Sequence, residues 1–208
     1  MQPTRNTALL LILFVVHSLA AEEHKTNYLF EVTPFIGYSV GGEFESSTTE
    51  EKIDINSADN YGLILGMEDQ HRKGAFYELM YLQQNTTFDG SNAEFSGEGN
   101  GLDISYLHLG GRYSEVEGRL QPFVSGGFGI TYLSAEHGDS KVKFSMSLGG
   151  GIKYEITDQI SFRLEARGFG TFFDNDTFIF CRNEQCYIEV DSDMIWQFTV
   201  LSALTISF

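Results

Sequence analysis

Counting back in twos from the C-terminus, Phe208, Ile206, Leu204, Ser202, Val200, Phe198 and Trp196 form an almost unbroken apolar and aromatic row. Between them Ser207, Thr205, Ala203, Leu201, Thr199 and Gln197 form a smaller and more polar row. Only a β-strand, whose side chains alternate between two faces, separates such rows. An apolar face this long has no place against water. Residues 194–208 therefore read as the closing strand of a transmembrane β-barrel, ending the chain on an aromatic side chain.

The same period of two recurs along the chain. In residues 28–40, Phe30, Val32, Pro34, Ile36, Tyr38 and Val40 alternate with Glu31, Thr33, Phe35, Gly37 and Ser39. Pro34 cannot donate to a ladder, which predicts a position near the strand's membrane boundary or at a bulge. Residues 60–68 carry Tyr61, Leu63, Leu65 and Met67 on one face, and from residue 75 Ala75, Tyr77, Leu79 and Tyr81 oppose Phe76, Glu78, Met80 and Leu82. Residues 102–113 set Leu107, Leu109, Gly111 and Tyr113 against Tyr106, His108, Gly110 and Arg112, with the charged row read as inward. Strands follow over 120–133, over 144–156 with Lys153 and Glu155 on the polar face, and from 160, where Ser161, Arg163, Glu165 and Arg167 alternate with apolar residues.

Eight such strands predict an all-β fold, an eight-stranded antiparallel up-and-down barrel spanning a membrane, since about 9–11 tilted residues cross one. Closure removes the open edges that hydrocarbon does not tolerate. The connections alternate. Those at 41–58, 89–100 and 174–192 are long, the one at 134–140 is the shortest of the outer four, and those between them are tight turns. Long loops outside and tight turns in the periplasm is the expected arrangement.

The N-terminus changes the picture of the chain's limits. Arg5, an apolar run over 8–16 and then Ser18-Leu19-Ala20-Ala21 make a signal peptide over residues 1–21, too short for a spanning helix of about 20 residues. Cleavage after Ala20 or Ala21 leaves one domain, residues 22–208, with a formal charge of −17. So acidic a balance argues against nucleic acid as a partner. Cys181 and Cys186, in an exported segment, read as a local disulfide, with a metal pair as the alternative and no histidine nearby.

Residues 120–129, Leu-Gln-Pro-Phe-Val-Ser-Gly-Gly-Phe-Gly, resemble the Gly-rich "Leu-x-Pro-aromatic" strand of the bacterial outer-membrane β-barrel family related to the transmembrane domain of outer membrane protein A. Glu31-Val32-Thr33-Pro34-Phe35-Ile36-Gly37-Tyr38, Gly41-Gly42-Glu43-Phe44 and the final Phe208 are similar to the opening and closing strands of its small members. The resemblance covers nearly all the mature chain. It implies the outer membrane of a Gram-negative bacterium as location, outer-membrane lipid and lipopolysaccharide as surroundings, and the barrel assembly machinery as a partner reading Phe208 as the insertion signal. It implies no cofactor and no particular activity.

Three constellations are candidates for function. Glu31, Glu78, Arg112, Lys153, Glu155, Arg163, Glu165 and Arg167 fall on inward rows, and an eight-stranded barrel is only wide enough for its own side chains. Opposite charges there form either a structural plug or a gated proton or small-ion path. The outer loops carry 15 acids and two bases, which either keep the surface solvated or share divalent cations with lipopolysaccharide phosphates. The last loop, with Phe178-Ile179-Phe180 and Tyr187-Ile188 around the cysteines, reads as a stapled hairpin available to an extracellular ligand. For an outer-membrane lipid-modifying enzyme a Ser-His pair on one face is required; His24, His71, His108 and His137 lie in separate segments at no ligand spacing, so no metal site and no catalytic site is expected.

Overall fold

The computed structural model describes residues 29–45, 52–90, 101–115, 118–135, 140–173, 177–182, 185–190 and 194–208. The signal segment lies outside the described residues, as do the side chains of most of the outer loops. Among the described residues twelve strands run in chain order: β1 (Phe30–Val40), β2 (Glu43–Glu45), β3 (Lys52–Ile55), β4 (Ala58–Glu68), β5 (Ala75–Gly90), β6 (Gly101–Tyr113), β7 (Leu120–Ala135), β8 (Lys141–Glu155), β9 (Ile160–Phe172), β10 (Thr177–Arg182), β11 (Gln185–Val190) and β12 (Met194–Ser207). Eight of them, β1, β4 to β9 and β12, pair with their neighbours in antiparallel order and close on themselves through β1 and β12. The other four are additions to the outer loops. β2 pairs with β3, which continues onto β5, and β10 pairs with β11 as a separate hairpin.

The register fixes the geometry of the barrel. Phe30 pairs with Met67, and successive partners are Tyr77, Gly111, Gly126, Leu148, Gly168 and Phe198, which pairs with Val40. One circuit therefore climbs ten residues along β1. A stagger of that size on eight strands gives a tilt of about 40°. The side chains divide as the alternation requires: Ile36, Leu65, Leu79, Leu109, Phe128, Leu148, Leu164, Val200 and Leu204 face out to lipid, and Thr33, Ile64, Met80, His108, Ser125, Arg167 and Leu201 face in and are buried.

Close pairing is helped by glycine in two places. Gly62 faces inward with the Phe35 ring laid over it, and a Cβ there would come within 2.5 Å of that ring. On the outside, Phe198 and Trp196 of β12 lie across Gly168 and Gly170 of β9, covering backbone that would otherwise be bare.

Pro34 sits inside β1, opposite Leu63, with the register unbroken on both sides and no bulge. Its effect is on the other edge. The β1–β12 ladder is interrupted at Thr33 and Pro34, where the missing N–H removes a donor, and the Thr33 hydroxyl bonds to Thr205 at 2.9 Å instead. At the bottom of this seam the Phe208 N–H donates to the Phe30 carbonyl at 2.9 Å, and the Phe208 carbonyl accepts from Leu29 N–H at 2.9 Å.

The tight turns are all at the end where β1 starts and β12 finishes. In the β4–β5 turn the Asp69 carboxylate accepts from the His71 backbone N–H at 2.9 Å and from the Tyr77 hydroxyl at 3.3 Å, which together hold its pKa below the usual carboxylate range.

Candidate functional site

The interior of the barrel is filled in three levels. The half nearer the tight turns holds the ion pairs, because inward positions of β1, β5, β6, β8 and β9 at that level are charged. Glu31 accepts from Arg112 at 2.7 Å and from Lys153 at 2.5 Å. Glu78 is the centre: its carboxylate lies 2.7 Å from Arg163 Nη1, 3.2 Å from Arg112 Nε and 3.6 Å from Arg167 Nη2. Glu165 accepts from Arg163 at 2.7 Å, from Arg167 at 2.8 Å and from the Ser125 hydroxyl at 2.5 Å. Arg112 and Arg163 also stack on Phe76 and Phe123, at 4.2 and 4.7 Å from the ring centres.

Three carboxylates thus face four cations, and all seven side chains are buried. Glu155, on the same inward row, stands apart from them. It lines the mouth at the tight-turn end, a recess of about 170 Å³ floored by Glu31, Arg112 and Lys153, and accepts from Gln121 Nε2 at 2.8 Å.

Above the charges lies a layer of hydroxyls, amides and one imidazole. His108 spans two serines of β8, with Nδ1 2.9 Å from Ser147 Oγ and Nε2 2.8 Å from Ser145 Oγ. No spacing within β6 signals this pairing, because the partners come from β8, across the lumen. Tyr106 donates to Gln197 Oε1 at 2.9 Å, Thr131 and Thr171 bond at 3.0 Å, and Asn60, Ser39 and Thr199 form a chain at 2.7 Å per link. Gln84 is fully buried here, and neither amide atom has a partner among the described residues.

The third of the interior nearest the long loops is apolar, which the inward charges did not predict. Leu102, Leu133, Phe173 and Ile195 close the lumen, and Ile55, at the end of β3, packs beside Gly42 and joins the same buried cluster. The Phe169 ring lies against Tyr106 and His108, with centroids 4.4 and 5.4 Å away. Cys181 and Cys186 face each other across β10 and β11, but their side chains lie outside those described, so the structure shows no disulfide between them.

This arrangement packs three carboxylates against four cations inside the barrel wall. His108, Ser145 and Ser147 are all buried, both ring nitrogens contact serine hydroxyls, and among the described residues no carboxylate bonds to the ring. Among the described residues, no group of three His, Cys, Asp or Glu side chains is placed to hold a metal.

Over residues 7–194 the chain matches the outer membrane protein beta-barrel domain. The chain belongs to this family. As a member of it, the protein is an outer-membrane protein, and the closed eight-stranded barrel is the family's domain. No curated protein is significantly similar in sequence.

Solved structures share the fold at low identity. OprG from Pseudomonas aeruginosa superposes with a TM-score of 0.62 at 12% identity, covering 89% of this chain and 98% of that one. Neisserial surface protein A gives 0.59 at 9% identity, covering 86% and 97%. The outer membrane protein AlkL gives 0.57 at 14% identity, covering 90% and 94%. At such identities these relatives speak for the barrel architecture and leave the activity to the residues themselves.

Proposed function

We propose that this family member is a non-enzymatic structural and cell-surface interaction protein, whose barrel is a plugged anchor and whose acidic outer loops are the working surface. The observation that carries this reading is the filled interior. Glu78 is ringed by three arginines below, and the mouth above is sealed by Leu102, Leu133, Phe173, Ile195 and Ile55. An ion path would need both to move at once.

The test is conductance of the purified barrel in planar lipid bilayers. Wild type is expected to be silent; discrete steps that disappear in Arg163→Ala or Glu165→Ala would replace the plug with a gated path. Lipids extracted from expressing cells should match those of the Ser147→Ala variant by mass spectrometry, and a protein-dependent acyl loss or transfer would restore the enzyme reading.

The loops belong to the same proposal. Their 15 carboxylates share divalent cations with lipopolysaccharide phosphates, and the last hairpin is held by a Cys181–Cys186 disulfide, for which the opposed register of the two residues is the support. Alkylation of the native protein without reductant should leave both cysteines unmodified, and alkylation after reduction should label both. Modification of both without reductant would refute the staple.

A further inference from the structure

The apolar belt around this barrel is not level. Because one circuit of hydrogen-bonded partners climbs ten residues, each step to the next strand rises by about one and a quarter residues along the wall. With that correction, side chains that touch across the lumen, Glu78 with Arg163, Tyr106 with Gln197 and Thr131 with Thr171, come out level to within about one residue.

On β12 the outward apolar row rises from Phe208 to Trp196, on β9 from Ile160 to Phe172, and on β8 from Tyr154 to Val142. On β5 it runs only from Tyr77 to Tyr81, and the next outward residues are Gln83, Asn85 and Thr87. On β4 it stops at Tyr61 with Asp59 above it, and on β6 at Leu107 with Ser105 and Asp103 above. The upper border on β4 to β6 is therefore about four residues lower than at Trp196 and Phe172, or about 10 Å along the membrane normal at a rise of about 3.3 Å and a tilt of about 40°.

The low side is also a built polar surface. Gln83 Oε1 accepts from the Tyr81 hydroxyl at 2.9 Å and the Ser105 hydroxyl at 2.5 Å, and Gln83 Nε2 donates to Asn85 at 3.4 Å. These groups line an open groove of about 450 Å³ in the outer wall, between Tyr81 and Tyr132, with Asp103 and Ser134 at its upper end. At the same level on the opposite wall stand Phe198, Trp196 and Phe144, which want hydrocarbon.

We propose that the outer leaflet is thinned over β4 to β6, so that its hydrogen-bonding headgroup layer descends about 10 Å and seats in the Gln83–Ser105 groove. The tyrosines argue for lipid rather than a second protein. Tyrosine rings in membrane barrels stand at the headgroup level, and here Tyr61 and Tyr81 stand at the lowered border, both exposed. Hydrocarbon at uniform height would instead bathe Asp59, Gln83 and Asn85, which it cannot hydrogen-bond.

Trp196 is the only tryptophan, a native depth probe on the high side. Tyr81→Trp in a Trp196→Phe background gives the matching probe on the low side. Both are read by fluorescence quenching in vesicles of phosphatidylcholine brominated at successive acyl positions, after a boiled-versus-unboiled gel confirms folding. The expected result is the same shallow depth for both, with the low-side probe moving deeper when Gln83→Leu and Ser105→Leu are added. A low-side probe about 10 Å deeper than Trp196 would overturn the proposal, as would no movement in the leucine variant. So would protection of the probe from every lipid quencher, which would mean that protein covers the face. Tyr61→Trp repeats the measurement should Tyr81→Trp not fold.

Discussion

Glu78→Gln tests the interior network at the point where most of it converges. The substitution keeps the volume and removes one charge from the middle of three arginines, at 2.7, 3.2 and 3.6 Å. Two carboxylates, Glu31 and Glu165, are then left for four buried cations, and the new amide N–H₂ points a donor at guanidinium donors. Removing one partner from a buried ion pair costs about 3–5 kcal/mol, chiefly because the charge left behind is uncompensated. Arg163→Gln should cost less, because it leaves three cations for three carboxylates and every carboxylate keeps a cation: Glu31 has Lys153, Glu165 has Arg167, and Glu78 has Arg112.

The double variant Glu78→Gln/Arg163→Gln returns the cluster to one excess positive charge, as in wild type, and should recover a large part of the Glu78→Gln loss. The assay is reversible urea unfolding of the barrel from lipid vesicles, followed by Trp196 fluorescence and by gel mobility. A loss below about 1 kcal/mol for Glu78→Gln would mean that water solvates this carboxylate and that the plug is not dry. A double variant as unstable as the sum of the singles would show that the two side chains do not act as a pair.

Three further outcomes follow from single positions. Gln84→Met replaces a fully buried amide, without partners among the described residues, by an apolar chain of similar size, and should raise the urea midpoint by the equivalent of about 1–3 kcal/mol; a lower midpoint would show that the amide is satisfied in solution. Gly62→Ala drives a methyl into the Tyr81 backbone carbonyl and the Phe35 ring and should destabilise by about 1–3 kcal/mol in the same assay, whereas an unchanged midpoint would show that both the β5 backbone and the ring give way freely. Deleting Phe208 removes the backbone bonds to Leu29 and Phe30 that close the foot of the seam, and should lower the heat-modifiable fraction recovered in outer membranes. Equal recovery would deny the terminal residue a role in assembly.

The barrel itself was legible because a membrane strand writes both faces into the chain. The alternation in 194–208 and 28–40 gives lipid face and lumen face directly, and the inward charges of β5, β6, β8 and β9 could be named from it. What could not be read is anything that depends on the stagger. That His108 would meet Ser145 and Ser147, and that Glu78 would meet Arg163 some 85 residues away, follows from a climb of ten residues per circuit, which no local pattern encodes. The apolar third nearest the long loops was hidden for a related reason. Leu102, Ile104 and Leu133 face inward, yet a row of apolar residues at a strand end looks the same whether it meets lipid or its own lumen. Pro34 misled in the other direction: a barrel seam tolerates a missing donor mid-strand when a Thr–Thr hydroxyl bond stands beside it.

The seam also sets the order of events in making the molecule. Seven of the eight barrel pairings join strands that follow one another, so each can zip from its own turn or loop. The eighth joins β1 to β12 across nearly the whole chain, and it alone bears the loop-closure cost of the entire barrel. It is also the ladder with a break in it, at Pro34. Without that ladder the barrel is a curved sheet with β1 and β12 as its two raw edges.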